Sequence, residues 1–210
     1  VIYKEEAMKM KQGLIVLLNG TSSSGKTTIA TECINQKEIP FHHLSIDHFF
    51  NGLFHDYIDF INLACSSNES ANEEDGQAPN HLIIDPLVTL FYSTIKYMSA
   101  IGINVMVDTV NDNEERLNTC LGLLMNHPVL FVGVTCSKEE LIKREERRGD
   151  REKGLAISQY DFVYRHKEYD IELNTESLRP HECANTILSF IRSNRAYSAF
   201  EKLEVRKTQH

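Results

Sequence analysis

Tryptophan is absent from the 210 residues, and cysteine and proline are scarce at five each. The cysteines (Cys33, Cys65, Cys120, Cys136, Cys183) are odd in number, widely spaced and form no C-x-x-C pair. That argues against a disulfide-stapled secreted scaffold and a zinc cluster, and fits small buried thiols in a reducing cytosol. No apolar run approaches the roughly 18 residues of a membrane span. The leading stretch VIYKEEAMKMKQG lacks the apolar centre of a signal peptide. A cytoplasmic protein with no membrane partner is expected. A basic excess is missing too, since 22 Lys and Arg face 30 Asp and Glu for a net charge of −8. Binding along nucleic acid needs a basic track that releases counterions, so no nucleic-acid partner is expected. Nine histidines are present, with no H-E-x-x-H or similar metal spacing.

The chain does have alternating strand and helix signals over a length that fits one domain, residues 1–210. Leu14–Leu18, His43–Ile46, Ile103–Val107, Val129–Val134 and Asp170–Leu173 read as short strands, mostly apolar without alternation, as in a sheet covered on both faces. Helical patterns fill residues 26–36, 86–101, 113–125, 137–148 and 181–193. Asp85-Pro86 and Ser137 with Glu140 supply start signals, and Gly102 a stop. Strand–helix alternation predicts an α/β fold with a parallel sheet and helices on both faces. Residues 64–80, polar and acidic, read as a mobile surface loop. Phe49, Phe50, Phe54, Tyr57 and Phe60 are spaced partly like a helix face and read chiefly as core.

The strongest chemical signal is Gly20-Thr21-Ser22-Ser23-Ser24-Gly25-Lys26-Thr27, which matches G-x-x-x-x-G-K-[ST] in full and continues into Thr28. Small residues let a loop turn its backbone N–H groups inward onto phosphate oxygens, and the helix that follows points its positive end at the same anion. Lys26 would supply charge to the β- and γ-phosphates and Thr27 a hydroxyl to Mg²⁺. Two aspartates close strands on the edge where this loop lies. Asp108 sits where a metal-holding acid belongs, and Asp47 where a base could take a proton from an attacking hydroxyl; the plainer alternative for each is a helix cap or loop residue. In Lys138–Lys153 the helix body reads as a solvated, ion-paired face. Arg144, Arg148 and Arg151 flank Gly149-Asp150, as expected of a lid over a moving phosphate, about residues 144–157. The absence of an N-K-x-D guanine-reading motif favours ATP over GTP.

From Leu14 to about residue 190 the chain resembles the chloramphenicol phosphotransferase-like family of P-loop kinases. The resemblance rests on Val16–Thr27, Ser45-Ile46-Asp47, Val105-Met106-Val107-Asp108, Phe131–Cys136, Arg144–Arg151 and His166 with Tyr169-Asp170-Ile171. It departs at Thr109, where the family carries a second acid after Asp108, and in residues 49–80. The resemblance implies a five-stranded parallel sheet of order 2-3-1-4-5 with an arginine-bearing lid. It implies ATP-dependent phosphorylation of a hydroxyl on a small molecule, as in chloramphenicol 3-O-phosphorylation, with Asp47 as base, Lys26, Arg144, Arg148 and Arg151 around the phosphates, and Mg²⁺ on Thr27 and Asp108. Antibiotic resistance would then be one possible role. The alternatives are a kinase for a nucleotide sugar or other phosphorylated metabolite, and an ATP-binding switch without catalysis. Neither the acceptor nor the oligomeric state follows from the residues.

Overall fold

Five short runs become five parallel strands, the three central ones buried along nearly their whole length and the two at the edges only in part. The computed structural model describes residues 11–59, 84–149, 153–165 and 168–207. The acidic stretch 64–80, Phe60, Cys65, Arg151 and His166 lie outside them. The strands are β1 (Ile15–Asn19), β2 (Phe41–Ser45), β3 (Asn104–Thr109), β4 (Val129–Thr135) and β5 (Ile171–Asn174), in the sheet order β2-β3-β1-β4-β5. This is the order that the family resemblance implied. The register is continuous, with Leu18 opposite both Asp108 and Val132 and with Ser45 opposite Asp108.

Alternation along each strand sends successive side chains to opposite layers. Val16, Leu18, Met106, Leu130, Val132 and Leu173 pack beneath α1 (Lys26–Asn35). Cys183, Ala184 and Ile187, on the later helix Pro180–Arg192, complete that layer. Ile15, Leu17, Val105, Val107, Val129 and Phe131 face the other layer, built from α2 (Ile46–Leu53), α3 (Asp85–Ala100) and α4 (Glu114–Leu124). A separate small cluster of Cys136, Leu141, Ala156 and Tyr160 joins α5 (Lys138–Arg148) to α6 (Leu155–Val163) beyond the sheet edge. α7 (Pro180–Arg192) and α8 (Ala199–Lys207) end the described chain.

The caps are local and chemical. Asn113 accepts from Arg116 N–H at 2.9 Å and Ser137 from Glu140 N–H at 3.3 Å, each satisfying a first-turn donor. Gly149, with φ +67°, ends α5 in the left-handed region that favours glycine.

Several boundaries differ from the sequence expectation. β2 stops at Ser45, and Ile46 and Asp47 open α2 instead of completing the strand. Ile46 buries against the α3 layer, while Asp47 lies in the first turn where the helix dipole favours an acid. β5 begins at Ile171, because Asp170 is used otherwise. Its carboxylate accepts from Phe131 N–H and from Ser198 and Ala199 N–H, tying β4 to the start of α8. The short helices α6 and α8 were not expected. The aromatic run divides as well: Phe49 is buried, Phe50 and Phe54 pack against the core, and Tyr57 is exposed. Cys33, Cys120, Cys136 and Cys183 are buried thiols outside any disulfide, and burial pushes the Cys33 thiol up to about 12, so it is inert at neutral pH.

At the amino edge of the sheet, Ser99 donates to the Gly13 carbonyl at 2.6 Å, and His127 Nδ1 lies 3.0 Å from the same hydroxyl. Burial, and secondarily the charge of Lys96, hold the His127 pKa below its usual value. The folded chain therefore binds this proton less readily than the unfolded chain. The stabilisation is complete above the ordinary histidine value of about 6.5 and is lost as pH falls below it. Thermal denaturation at pH 7.5 and 5.5 should show a smaller drop in midpoint for His127→Gln than for the unaltered chain.

Candidate active site

The loop between β1 and α1 is shaped by close approach. A Cβ on Gly20 would lie 2.4 Å from the Val134 carbonyl oxygen, and Gly25 takes φ +99° to open α1. The turn therefore fits only glycine at both ends of the serine run. Ser23, with φ +61°, and Ser24 have buried hydroxyls that lack a partner within the protein. Orphaned donors beside a helix N-terminus are the form an anion site takes before the anion arrives.

Parallel pairing of β1 with β3 sets the rest. Because Leu18 lies opposite Asp108, the loop leaving β1 passes beside that carboxylate. Thr27 donates its hydroxyl to Asp108 Oδ2, and Lys26 Nζ stands 3.8 Å from Asp108 Oδ1 while donating to the Thr21 carbonyl at 2.8 Å. Lys26 and Asp108 are buried, at 6% and 5% exposure. A buried charge needs such a partner, and a hydroxyl plus a carboxylate is oxygen chemistry suited to Mg²⁺. No cluster of three or more His, Cys, Asp or Glu able to hold a metal occurs among the described residues.

A cavity of about 460 Å³ opens here, lined among others by Ser22, Ser23, Gly25, Lys26, Thr27 and Thr28. Asp47, Asp108, Arg144 and Arg148 line the same cavity. Gly20, Thr21 and Ser24 shape the loop from behind; Thr21 and Ser24 are fully buried. Arg151 lies outside the described residues.

Arg144 sits within α5, donating to Thr175 Oγ1 and to the Thr175 carbonyl and pairing with Glu140 at 3.0 Å. Thr175 in turn donates to the Ser24 carbonyl at 2.8 Å, so this arginine braces the loop from the β5 side. Arg148, at the exposed end of α5, is the cation nearer to the expected lid role.

Sequence reasoning missed the residues that hold the loop from outside. Tyr164 Oη accepts from Thr21 N–H at 3.3 Å and donates to the Val134 carbonyl at 2.7 Å, and burial raises its pKa so it stays a neutral donor. Gln159 Oε1 accepts from Ser22 N–H at 2.8 Å. Gln159 lies on α6 and Tyr164 just past its end, and the first turn of α6 is held by the buried Glu145: its carboxylate accepts from Gly154 N–H at 3.0 Å and Ala156 N–H at 2.6 Å. Asn19 donates to Tyr169 and accepts from Asn111 N–H, anchoring the loops after β1 and β3 to each other. Gln159, Tyr164 and Glu145 form no recognisable motif, though Glu145 lies nine residues before Gly154, within one predicted helix-plus-break.

The family model for chloramphenicol phosphotransferase-like proteins matches residues 13–192. The chain belongs to that family. A curated Mycobacterium tuberculosis protein named "Putative O-phosphotransferase" is 31% identical over 211 residues, covering 97% of this chain and 94% of the relative. Among solved structures, the Mycobacterium tuberculosis APS kinase in complex with AMPPNP and APS superposes with a TM-score of 0.60 at 15% identity, over 86% of this chain and 98% of that one. Shikimate kinase from Acinetobacter baumannii in complex with shikimate gives 0.58 at 17%, over 90% and 97%. At those identities the likeness is one of fold, and the fold is that of the P-loop kinases.

Glu145→Ala should destabilise the protein by about 1–3 kcal/mol, because two N–H groups at the start of α6 lose a charged acceptor. Urea denaturation would measure it, and hydrogen exchange should rise first in residues 154–163.

Proposed function

We propose that this protein is an ATP-dependent kinase that transfers the γ-phosphate to a hydroxyl group of a small molecule, with Asp47 as the general base. One observation carries the reading: Asp47, Lys26 and Asp108 line one cavity against a phosphate loop. The curated relative's name and the family's description support phosphoryl transfer to oxygen. An amphenicol-like alcohol is the acceptor class that the family points to.

Asp47 is exposed in the first turn of α2, where a substrate hydroxyl can reach it. It takes the proton of that hydroxyl as the oxygen bonds to the γ-phosphorus and the bond to the β-phosphate oxygen breaks. Ser22 to Thr28 present the loop and helix N-terminus to the phosphates. Lys26 adds a fixed charge, and Arg148 adds a second from the end of α5. Such groups act by being in place before charge moves, which is where most of the rate gain in phosphoryl transfer arises. Thr27 and Asp108 would hold Mg²⁺, which supplies charge neutralisation between the β- and γ-phosphates. Arg144 serves by keeping the loop in position, and Arg151 is placed with the lid by sequence alone. ATP is preferred to GTP, since no N-K-x-D motif is present.

Asp47→Asn should keep Mg-nucleotide binding within a few-fold while phosphate transfer from labelled ATP to chloramphenicol and a panel of small alcohols falls by about 10²–10⁴. Lys26→Ala should cost about 3–4 kcal/mol of transition-state stabilisation, and EDTA should abolish turnover. Undiminished transfer by Asp47→Asn would remove the general base from the scheme. Failure of the unaltered chain to bind ATP would remove the kinase.

A further inference from the structure

Gln159 places a neutral amide where the phosphate loop offers a donor to an anion. Its Oε1 accepts the Ser22 N–H at 2.8 Å, and its Nε2 donates to Asp112 Oδ2 at 3.4 Å. Asp112 is itself oriented by Arg116 at 2.7 Å, and Gln159 lines the same cavity as Lys26 and Asp47. The amide does not arrive there by drift. α6 is held at its start by Glu145 and beyond its end by Tyr164, which grips Thr21, the residue before Ser22. The fold thus keeps a carbonyl oxygen against one amide of a loop whose amides otherwise converge on phosphate. Ser22 lies on the limb of the loop that comes from β1, before the turn at Gly25, and Asp112 follows β3. Gln159 shares the cavity with Lys26, which serves the β- and γ-phosphates, and with Asp47, and that sets it toward the outer end of a bound triphosphate.

Resting on the kinase reading, we propose that Gln159 is a positioning residue that senses the terminal phosphate. Gln159 occupies the Ser22 N–H until a γ-phosphoryl oxygen takes that donor. An anionic acceptor makes roughly twice the bond that a neutral amide oxygen makes, so the exchange favours the phosphate. The released amide stays tied to Asp112, and its freed carbonyl turns to the acceptor hydroxyl. α6 therefore registers whether the third phosphate is present.

Calorimetric titration of the full chain with Mg-AMPPNP and with Mg-ADP tests this. Gln159→Met should bind Mg-AMPPNP about fivefold tighter than the unaltered chain, because the competing neutral hydrogen bond is gone. Gln159→Glu should bind it about tenfold more weakly, because a charged competitor now holds the donor and repels the phosphate. Mg-ADP should stay within about twofold in Gln159→Met. A simple structural brace predicts weaker Mg-AMPPNP binding in both variants together with lowered melting midpoints, and that pattern overturns the inference. Equal tightening for Mg-ADP, or no change in Gln159→Met, overturns it as well. If the unaltered chain binds neither nucleotide, the kinase reading itself fails and this inference falls with it.

Discussion

The alignment of β1 with β3 is the constraint on which the rest of the molecule depends. Leu18 opposite Asp108 brings a carboxylate beside the first turn of α1, where Thr27 and Lys26 meet it. A slip of one residue would turn every β3 side chain to the other face and take the Asp108 carboxylate away from the buried Lys26. Such a slip would also exchange Val105 and Val107 with Met106 between two differently shaped layers. The apolar pattern of β3 and the electrostatics of the loop therefore select the same register, and agreement between levels of this kind is what makes a fold unique.

Around that alignment, much of the loop is held by groups that do not face the cavity. Tyr164 takes Thr21, Thr175 takes Ser24, and Arg144 locks Thr175 to α5. These contacts draw on the segments after β4 and β5, so the loop is fixed from the far half of the sheet as well as by its own glycines. Backbone donors can then be aimed without side chains filling the space that phosphates need. The arrangement also separates two uses of arginine. Arg144 is half-buried with its donors engaged, whereas Arg148 and its neighbour Arg147 are exposed on the cavity rim.

The strands, most helix starts and the phosphate loop were legible in the sequence, because each depends on short-range chemistry: apolar runs, Asn113 and Ser137 caps, glycines at a tight turn. The placement of Asp47 was readable to the right neighbourhood but in the wrong element. Ser45-Ile46 looks like strand until the burial of Ile46 against α3 is known, and that contact is long-range. The contact of Arg144 with Thr175 was not legible either, since the two lie 31 residues apart. Helix α6 escaped because its cap is not a neighbouring Ser or Asp but Glu145, on the preceding helix. Gln159 on that unseen helix and Tyr164 just past it are ordinary residues, and nothing in their own spacing marks them.

This distribution of what could and could not be read has a physical origin. A phosphate loop must present backbone amides, and any sequence that permits the conformation will serve, so the motif is compact and self-declaring. On the proposed reading, discrimination among ligands would instead fall to side chains brought in from elsewhere, such as Asp47 from α2 and Gln159 from α6, which line one cavity through packing rather than through spacing. Two chains with the same loop and sheet order can therefore differ in acceptor while sharing all that the glycines reveal. The low identities of the superposable kinases, 15% and 17%, fit that division. The sheet core can be filled by varied apolar residues, while the helices that overhang the carboxyl edge are free to change what they bring to the cavity.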